Sequence, residues 1–433
     1  GVALPGFGLG LPAALESQLD LDDGLLVLSG LRGEIVGASV SGDVNAGLRE
    51  GVPHLTGALA LGSLDLAPLT EMVTGAAALD AGGDGGWPEA PFAATAAAPV
   101  TAELDLAAGR LWLGDFAEAR DARMRLTLDR DGLAIADLAA SMLGGAASGI
   151  VDFRNDGGTG LFSAQLRLDD ADIAALVGDA GLSGRASLTA SVTASGKSID
   201  GLVAALSGSG TAALRDIAIA GIAPDVFPDL IARADAAGAE IDAAAVSAFA
   251  PPLVRAGTFE AAGVDIAFTL ANGALRAPPF RLETQGAALA GEVGADFIRR
   301  SIAAEATLVF DPAQEALAGA EPAVRFTASG PLDALRVDVD TGPLAQFLTQ
   351  RALELEQQRV EAMQAALVEK QRLRREARYY AALSAEREAA QKAAEEAERL
   401  ERERLEREER ERLRREEEAE RRRLDDEARR APE

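Results

Sequence analysis

Short segments in which apolar and polar residues alternate recur along most of this chain, and they restrict its fold more than any other feature. Clear examples are "ARMRLTLDR" (122–130), "SAQLRLDD" (163–170), "GVDIAFTLANG" (263–273) and "DALRVDVDTG" (333–342). A period of two places successive side chains on opposite faces of a strand. The pattern therefore predicts a mainly β protein whose antiparallel strands have one apolar and one polar face.

The apolar side of these alternations supplies the residues that we expect to share one face of the sheet and to line a groove. They are Met124, Leu126, Leu128, Leu166, Leu168, Val264, Ile266, Phe268, Leu270, Leu335, Val337 and Val339.

Glycine spacing indicates that the strand pairs repeat. In three places a first glycine is followed 12 or 13 residues later by a second and 5 residues after that by a third, with apolar residues after the first and last. The three sets are Gly24, Gly37 and Gly42; Gly132, Gly144 and Gly149; and Gly273, Gly286 and Gly291. Glycine adopts positive φ at tight turns without a Cβ clash. We therefore expect Gly37, Gly144 or Gly145, and Gly286 at equivalent strand-to-strand turns.

The composition excludes several classes of site. The chain has no cysteine, which rules out disulfides and thiolate ligands, and its one histidine, His54, stands beside a turn in "GVPHLTG" and suits an ordinary loop residue. Two Tyr, two Trp and a net charge of −27 argue against nucleic acid. Asp169 and Asp170 are adjacent on a strand and would point to opposite faces. We expect no catalytic residue, cofactor or metal.

Few helices are expected within the body, which we assign to residues 1–342. Helical patterns cover 65–73, 170–180 and 223–238, and the Gly-, Ala- and Pro-rich residues 75–99 predict a loosely ordered, flexible loop. The chain opens with glycine in "GVALPGFGLG", which is typical of sequence inside a domain. We expect the body to be truncated at its N-terminus.

A different kind of sequence follows the body. From Leu344 onward there are 22 Lys and Arg against 24 Asp and Glu. Residues 343–384 predict an amphipathic helix, with apolar residues at helical spacing that favour docking on the end of the sheet over membrane contact. Residues 385–433 are dense in Glu–Arg pairs four positions apart, which is typical of a solvated, coiled-coil-like helix. The stripe residues are Leu344, Phe347, Leu348, Ala352 and Leu355.

Three segments of the body resemble the C-terminal region of AsmA-family proteins of Gram-negative bacteria. They are "GLAIADLAASMLGGAASGIVDFRNDGGTGLFSAQLRLDDADIAALVG" (132–178), "SIDGLVAALSGSGTAALRDIAIAGI" (198–222) and "FEAAGVDIAFTLANGALRAPPFRLETQGAALAGEVGADF" (259–297). The resemblance covers most of residues 20–342. It implies a repeating, curled β-groove related to bridge-like lipid-transfer proteins.

The same resemblance implies a function and a location. AsmA-like proteins sit in the periplasm on an N-terminal inner-membrane anchor, and they are linked to phospholipid movement and outer-membrane assembly. For this chain we therefore expect a non-enzymatic envelope protein with phospholipid as ligand, an anchor outside this sequence, and an envelope protein as a partner of the helical tail. The alternative is a structural β-repeat scaffold or surface protein with a closed core and no lipid.

Overall fold

The computed structural model describes residues 13–22, 24–80, 86–95, 98–112, 118–178, 181–331 and 334–429. Within them the protein is mainly β, with one long curled sheet that does not close, a few short helices and a long C-terminal helix. The predicted fold class is confirmed. The strands are β1 Ala13–Asp22, β2 Leu25–Ile35, β3 Ala38–Arg49, β4 Val52–Asp65, β5 Thr101–Trp112, β6 Glu118–Leu128, β7 Gly132–Met142, β8 Gly145–Asp156, β9 Thr159–Asp172, β10 Leu182–Gly196, β11 Ser207–Ala220, β12 Thr258–Ala271, β13 Ala274–Arg276, β14 Phe280–Thr284, β15 Ala287–Asp296, β16 Ser301–Phe310, β17 Ala323–Pro331 and β18 Arg336–Asp340. The helices are α1 Ala67–Thr74, α2 Ile173–Val177, α3 Ile199–Ala204, α4 Phe227–Ala237, α5 Ala243–Val254 and α6 Gly342–Ala428.

Strand order in the sheet follows the order of the chain. Nearly every strand pairs antiparallel with the next, from β1 at one edge to β18 at the other, while β13 and β14 lie in succession along β15. Among the described strands, β4 and β5 form the one parallel pair. Parallel neighbours require the chain to cross over a face of the sheet. The described residues of this connection, 66–80, 86–95 and 98–100, include α1.

The glycine repeat is confirmed as a strand–turn–strand unit. Gly37, Gly144 and Gly286 occupy turns between β2 and β3, β7 and β8, and β14 and β15, with φ of 77°, 73° and 84°. The residues before the first two, Val36 and Leu143, also have positive φ, as type I′ hairpin turns require.

The strands share one face whose side chains are apolar or absent, which we call the apolar face. Strand register aligns one residue from each of sixteen strands in a single row across the sheet. The row is Leu19, Leu28, Val44, Gly57, Leu104, Leu126, Ile135, Val151, Ala164, Val192, Gly208, Leu270, Leu275, Ala295, Ile302 and Gly330.

Two groups of non-strand residues pack on the apolar face. The first cover is formed by described residues of the β4–β5 connection: Met72 and Val73 of α1 and Phe92 of the following loop belong to a core with β5–β8. The described part of this Gly- and Ala-rich loop is held by buried Phe92 and by hydrogen bonds such as that from the Phe92 amide to the Lys197 carbonyl, at 2.7 Å. Composition alone missed that packing, because one aromatic residue supplies it.

The second cover consists of α4, α5 and the first turns of α6, which pack on β12 and β14–β17. Phe227 of α4 stacks on Phe310 at 5.5 Å between ring centroids and also contacts Phe347 of α6. Helix α4 was predicted from its periodicity, whereas α5 was not; Asp242 caps its N-terminus by accepting a hydrogen bond from the Ala245 amide at 2.8 Å.

The helix expected over 170–180 is shorter than predicted. Strand β9 continues to Asp172, and α2 has only the five residues Ile173–Val177. Asp170 has a positive φ of 55° and lies where the register between β9 and β10 shifts, as at a β-bulge. The strand therefore continues past Asp170, and the helix begins later than predicted. The Asp172 carboxylate then caps the short helix by accepting from the Ala174 amide.

The predicted tail is one helix, α6, and it contributes to two compact units of the chain. The first unit ends at Leu353 and the second begins at Glu354. Of the predicted stripe, Leu344, Phe347 and Leu348 are fully buried in the second cover, whereas Leu355 is 43% exposed. In the second unit nearly every described residue is exposed. The amphipathic segment therefore docks through its first turns only.

Arg351 fastens the docked part of α6. Its guanidinium is buried and donates hydrogen bonds to Glu315 and to Asp235 of α4.

None of the helices in the described part of the chain combines the length and the apolarity that a bilayer crossing needs.

Candidate functional site: the apolar face of the sheet

The row that crosses the apolar face from Leu19 to Gly330 contains no charged residue, and neither of the residues beside Leu166, Gly149 and Ala190, is charged. The one buried amide of this face, Asn155, is satisfied by hydrogen bonds to the carbonyls of Val73 and Ala93 and from the Gly158 amide. Unpaired charges are costly next to apolar material, so their absence suits either a protein core or an apolar ligand. The solvent exposure of the side chains shows which parts of the face are packed against protein and which are open to a ligand.

The first cover closes the face over β5–β8. Met124, Leu126 and Leu128, which were expected to line a groove, are only 4%, 2% and 3% exposed. They belong to the core formed with α1 and Phe92. These three residues therefore have protein neighbours in place of a ligand.

The face is also closed along β12. Ile266, Phe268 and Leu270 are 8%, 9% and 5% exposed, and Val264 is half-buried against the second cover. The Phe268 ring lies over Gly210 of β11, where an added Cβ would approach the ring to 2.3 Å. A glycine is therefore required opposite this phenylalanine.

Between the two closed regions lies an open part, which we call the central section. Leu166 of β9 is 41% exposed, and Leu168 of β9 and Leu188 of β10 are half-buried. The residues directly beside Leu166 in the sheet are Gly149 and Ala190. Because these neighbours have little or no side chain, they do not cover the Leu166 side chain, which remains exposed to solvent.

A second open part lies at the first edge of the sheet, and we call it the β1 margin. Leu15, Leu19 and Leu21 project from the apolar face of β1 with 46%, 66% and 72% exposure, and Leu48 of β3 is 77% exposed. Our candidate residues did not include these four. The signal was present, because "LESQLDLD" (15–22) shows the same alternation as the other strands.

The opposite edge is open on a smaller scale. Val337 of β18 is 53% exposed, whereas Val339 is half-buried against the core of the second cover. Leu335 lies just before the strand and is half-buried. The predicted groove residues thus fall into buried and open groups, and sequence alternation did not separate them.

Several charged residues of the polar face form exposed ion pairs. Asp169 and Asp170, the residues considered for acid–base chemistry, pair with Arg167 at 2.7 Å and Arg185 at 2.6 Å. Hydrogen bonding from Arg185 holds the pKa of Asp170 below its ordinary value, the opposite of what a general acid needs. His54 Nδ1 lies 2.9 Å from the Thr101 hydroxyl across the β4–β5 pair.

One sizeable cleft lies away from the open parts of the apolar face. It has a volume of about 1060 Å³ and lies beside α4, with Asp225, Glu260, Asp311 and Glu315 among its lining residues and no lysine or arginine. Among the described residues, no group of three or more acidic or histidine side chains is placed to hold a metal ion.

Comparisons with protein-family models, with curated proteins and with solved structures found no significant match to this chain.

Proposed function

We propose that this protein binds phospholipid by its acyl chains on the open parts of the apolar face, as a non-enzymatic, periplasmic component of lipid handling in a Gram-negative envelope. The observation that carries the proposal is the solvent exposure of apolar side chains on one face of the sheet, at the β1 margin and the central section. The AsmA-like segments supply the envelope setting and the link to outer-membrane assembly.

The dimensions of the central section suit a hydrocarbon chain. Neighbouring strands lie roughly 4.8 Å apart, so the positions from β9 to β11, between the two closed regions, span roughly 10 Å. Small residues flank Leu166 on both sides, since Gly149 and Ala190 are its direct neighbours in the sheet. A chain lying there would gain about 0.8 kcal/mol for each methylene removed from water.

The alternative function, a scaffold without ligand, rests on a specific observation too. The two covers bury parts of the apolar face in packed cores, with Leu126 under the first cover and Leu308 under the second. In that interpretation, the exposed leucines contact protein. Large exposed apolar patches mark interaction sites of either kind.

A matched pair of substitutions on one strand separates the two functions. Leu166 lies on the apolar face of β9 and is 41% exposed, whereas Leu161 lies on the polar face of the same strand and is 44% exposed. We expect Leu166→Asp to reduce phospholipid binding at least tenfold, because a carboxylate there would meet acyl chains. Leu161→Asp should leave binding unchanged.

The measurement is mass spectrometry of lipid that co-purifies with the detergent-free protein, supported by binding of a fluorescent phospholipid. Circular dichroism establishes that both variants are folded. A wild-type protein that neither carries nor binds phospholipid would favour the scaffold. Equal loss in the two variants would remove the apolar face as the binding surface.

A further inference from the structure

Four basic side chains on α6 form an exposed group within the second unit. Lys370, Arg374 and Arg378 are spaced four residues apart, so they lie on one face of the helix, and Arg375 borders them. All four are exposed. With about 1.5 Å of rise per residue, the group extends roughly 12 Å along the helix.

This group differs from most basic residues of the helix because no acidic residue stands three or four positions from any of its members. Farther along, arginines pair with glutamates three or four residues away, as Arg402 does with Glu398 at 3.3 Å and Arg404 with Glu408 at 3.7 Å. Within the described part of the chain, no salt bridge involves any of the four basic residues.

The spacing also places like charges next to each other. Lys370 and Arg374, and Arg374 and Arg378, are like-charged pairs at four-residue spacing, which destabilise a helix. An anionic partner would relieve this repulsion.

Apolar residues continue the same face toward the N-terminus of the helix. Val360, Met363 and Leu367 precede Lys370 at spacings of three and four and are 37%, 50% and 59% exposed. Tyr379 and Tyr380 follow Arg378 and are 65% and 64% exposed. Exposed apolar residues beside unpaired basic residues and tyrosines are typical of helices that lie in a membrane interface.

We infer that this stripe, from Val360 to Arg378, docks on the surface of an anionic lipid bilayer. The basic side chains would contact lipid phosphates, and the three apolar side chains would enter the boundary between headgroups and acyl chains. Nucleic acid fits poorly, because the chain as a whole has a net charge of −27 and the stripe is half apolar. This surface is separate from the apolar face of the sheet, so that either proposal can fail without the other.

The test is flotation of the full chain with vesicles. Binding to phosphatidylcholine vesicles is compared with binding to vesicles that contain about 30% phosphatidylglycerol, at low salt and at about 0.5 M salt. The variant is Lys370→Gln/Arg374→Gln/Arg378→Gln. The control, Arg402→Gln/Arg404→Gln/Arg410→Gln, makes the same change in charge at three arginines that each pair with a glutamate.

We expect the wild-type protein to float with anionic vesicles only, and high salt to release it. The variant should lose about a hundredfold in partitioning while the control retains it, because each basic residue near such a surface contributes about 1 kcal/mol. Absence of flotation by the wild type, or equal loss in variant and control, would overturn the inference. Self-association that depends on these charges, measured by sedimentation velocity in the absence of vesicle binding, would also overturn the inference. The stripe would then bind a second copy of the chain.

Discussion

Strands β6 and β9 show the same alternation of apolar and polar residues, but their apolar side chains differ in solvent exposure. Leu126 at the centre of β6 is 2% exposed, whereas Leu166 in β9 is 41% exposed. Leu126 has Leu104 and Ile135 beside it in the sheet and belongs to the core under α1, while Leu166 has Gly149 and Ala190 beside it. The face of a residue thus depends on its own strand, but its exposure depends on neighbours that come from elsewhere in the chain.

The strongest test of this comparison places a carboxylate at each site. We expect Leu126→Asp to prevent cooperative folding of the body, because a buried unpaired charge costs several kcal/mol out of a typical stability of about 5–15 kcal/mol. Leu166→Asp should cost less than about 1 kcal/mol, because its carboxylate can reach water. Urea unfolding followed by circular dichroism measures both. Similar losses at the two sites would show that the central section is a closed core.

A larger side chain should also affect stability differently in the closed and the open part of the apolar face. Ala122 of β6 is 1% exposed within the core under the first cover, whereas Ala190 of β10 lies beside exposed Leu166. Ala122→Leu should reduce the free energy of unfolding by about 1–3 kcal/mol through overpacking. Ala190→Leu should change it by less than about 0.5 kcal/mol and should also obstruct lipid binding. A large loss of stability in Ala190→Leu would mean that the space above it is filled.

Replacing Arg351, which joins α6 to the rest of the second cover, should have a smaller effect on the free energy of unfolding. Arg351→Met removes hydrogen bonds to Glu315 and Asp235, whose side chains are 40% and 50% exposed. Because both carboxylates reach solvent, we expect a loss of about 1–2 kcal/mol, below the usual penalty for breaking a buried pair. Arg359→Met, at a position that is 73% exposed, is the control and should be nearly neutral. Equal stability of the two variants would show that apolar packing alone holds α6 in place.

The smallest effect is expected where no packing exists. All described residues from 385 to 429 are exposed, so removing residues 385–433 should leave the thermal unfolding of the body nearly unchanged. Differential scanning calorimetry compares the shortened and complete chains. A fall in melting temperature of more than several degrees would mean that this part of α6 supports the body.

Much of the fold could be predicted because the alternation is local. The period of two in segments such as 122–130 and 263–273 identified strands, and Gly37, Gly144 and Gly286 identified their turns, since only glycine adopts such turn conformations at little cost. Helix α5 was missed, because its alanines and prolines give little periodicity. The β1 margin was missed although β1 alternates as clearly as its neighbours.

Local pattern, then, was sufficient for the mainly β class, the repeated hairpins, the apolar side of each strand and the helical tail, because each depends on residues close together in the chain. Which part of the apolar face stays open was decided only when distant segments met. The parallel β4–β5 pair requires a crossover connection, from which Met72, Val73 and Phe92 pack over β5–β8, and α4, α5 and Phe347 pack on β12 and β14–β17. Leu166 remains accessible between them because a strand's exposure depends on what packs against it, and no periodicity within the strand encodes its distant neighbours.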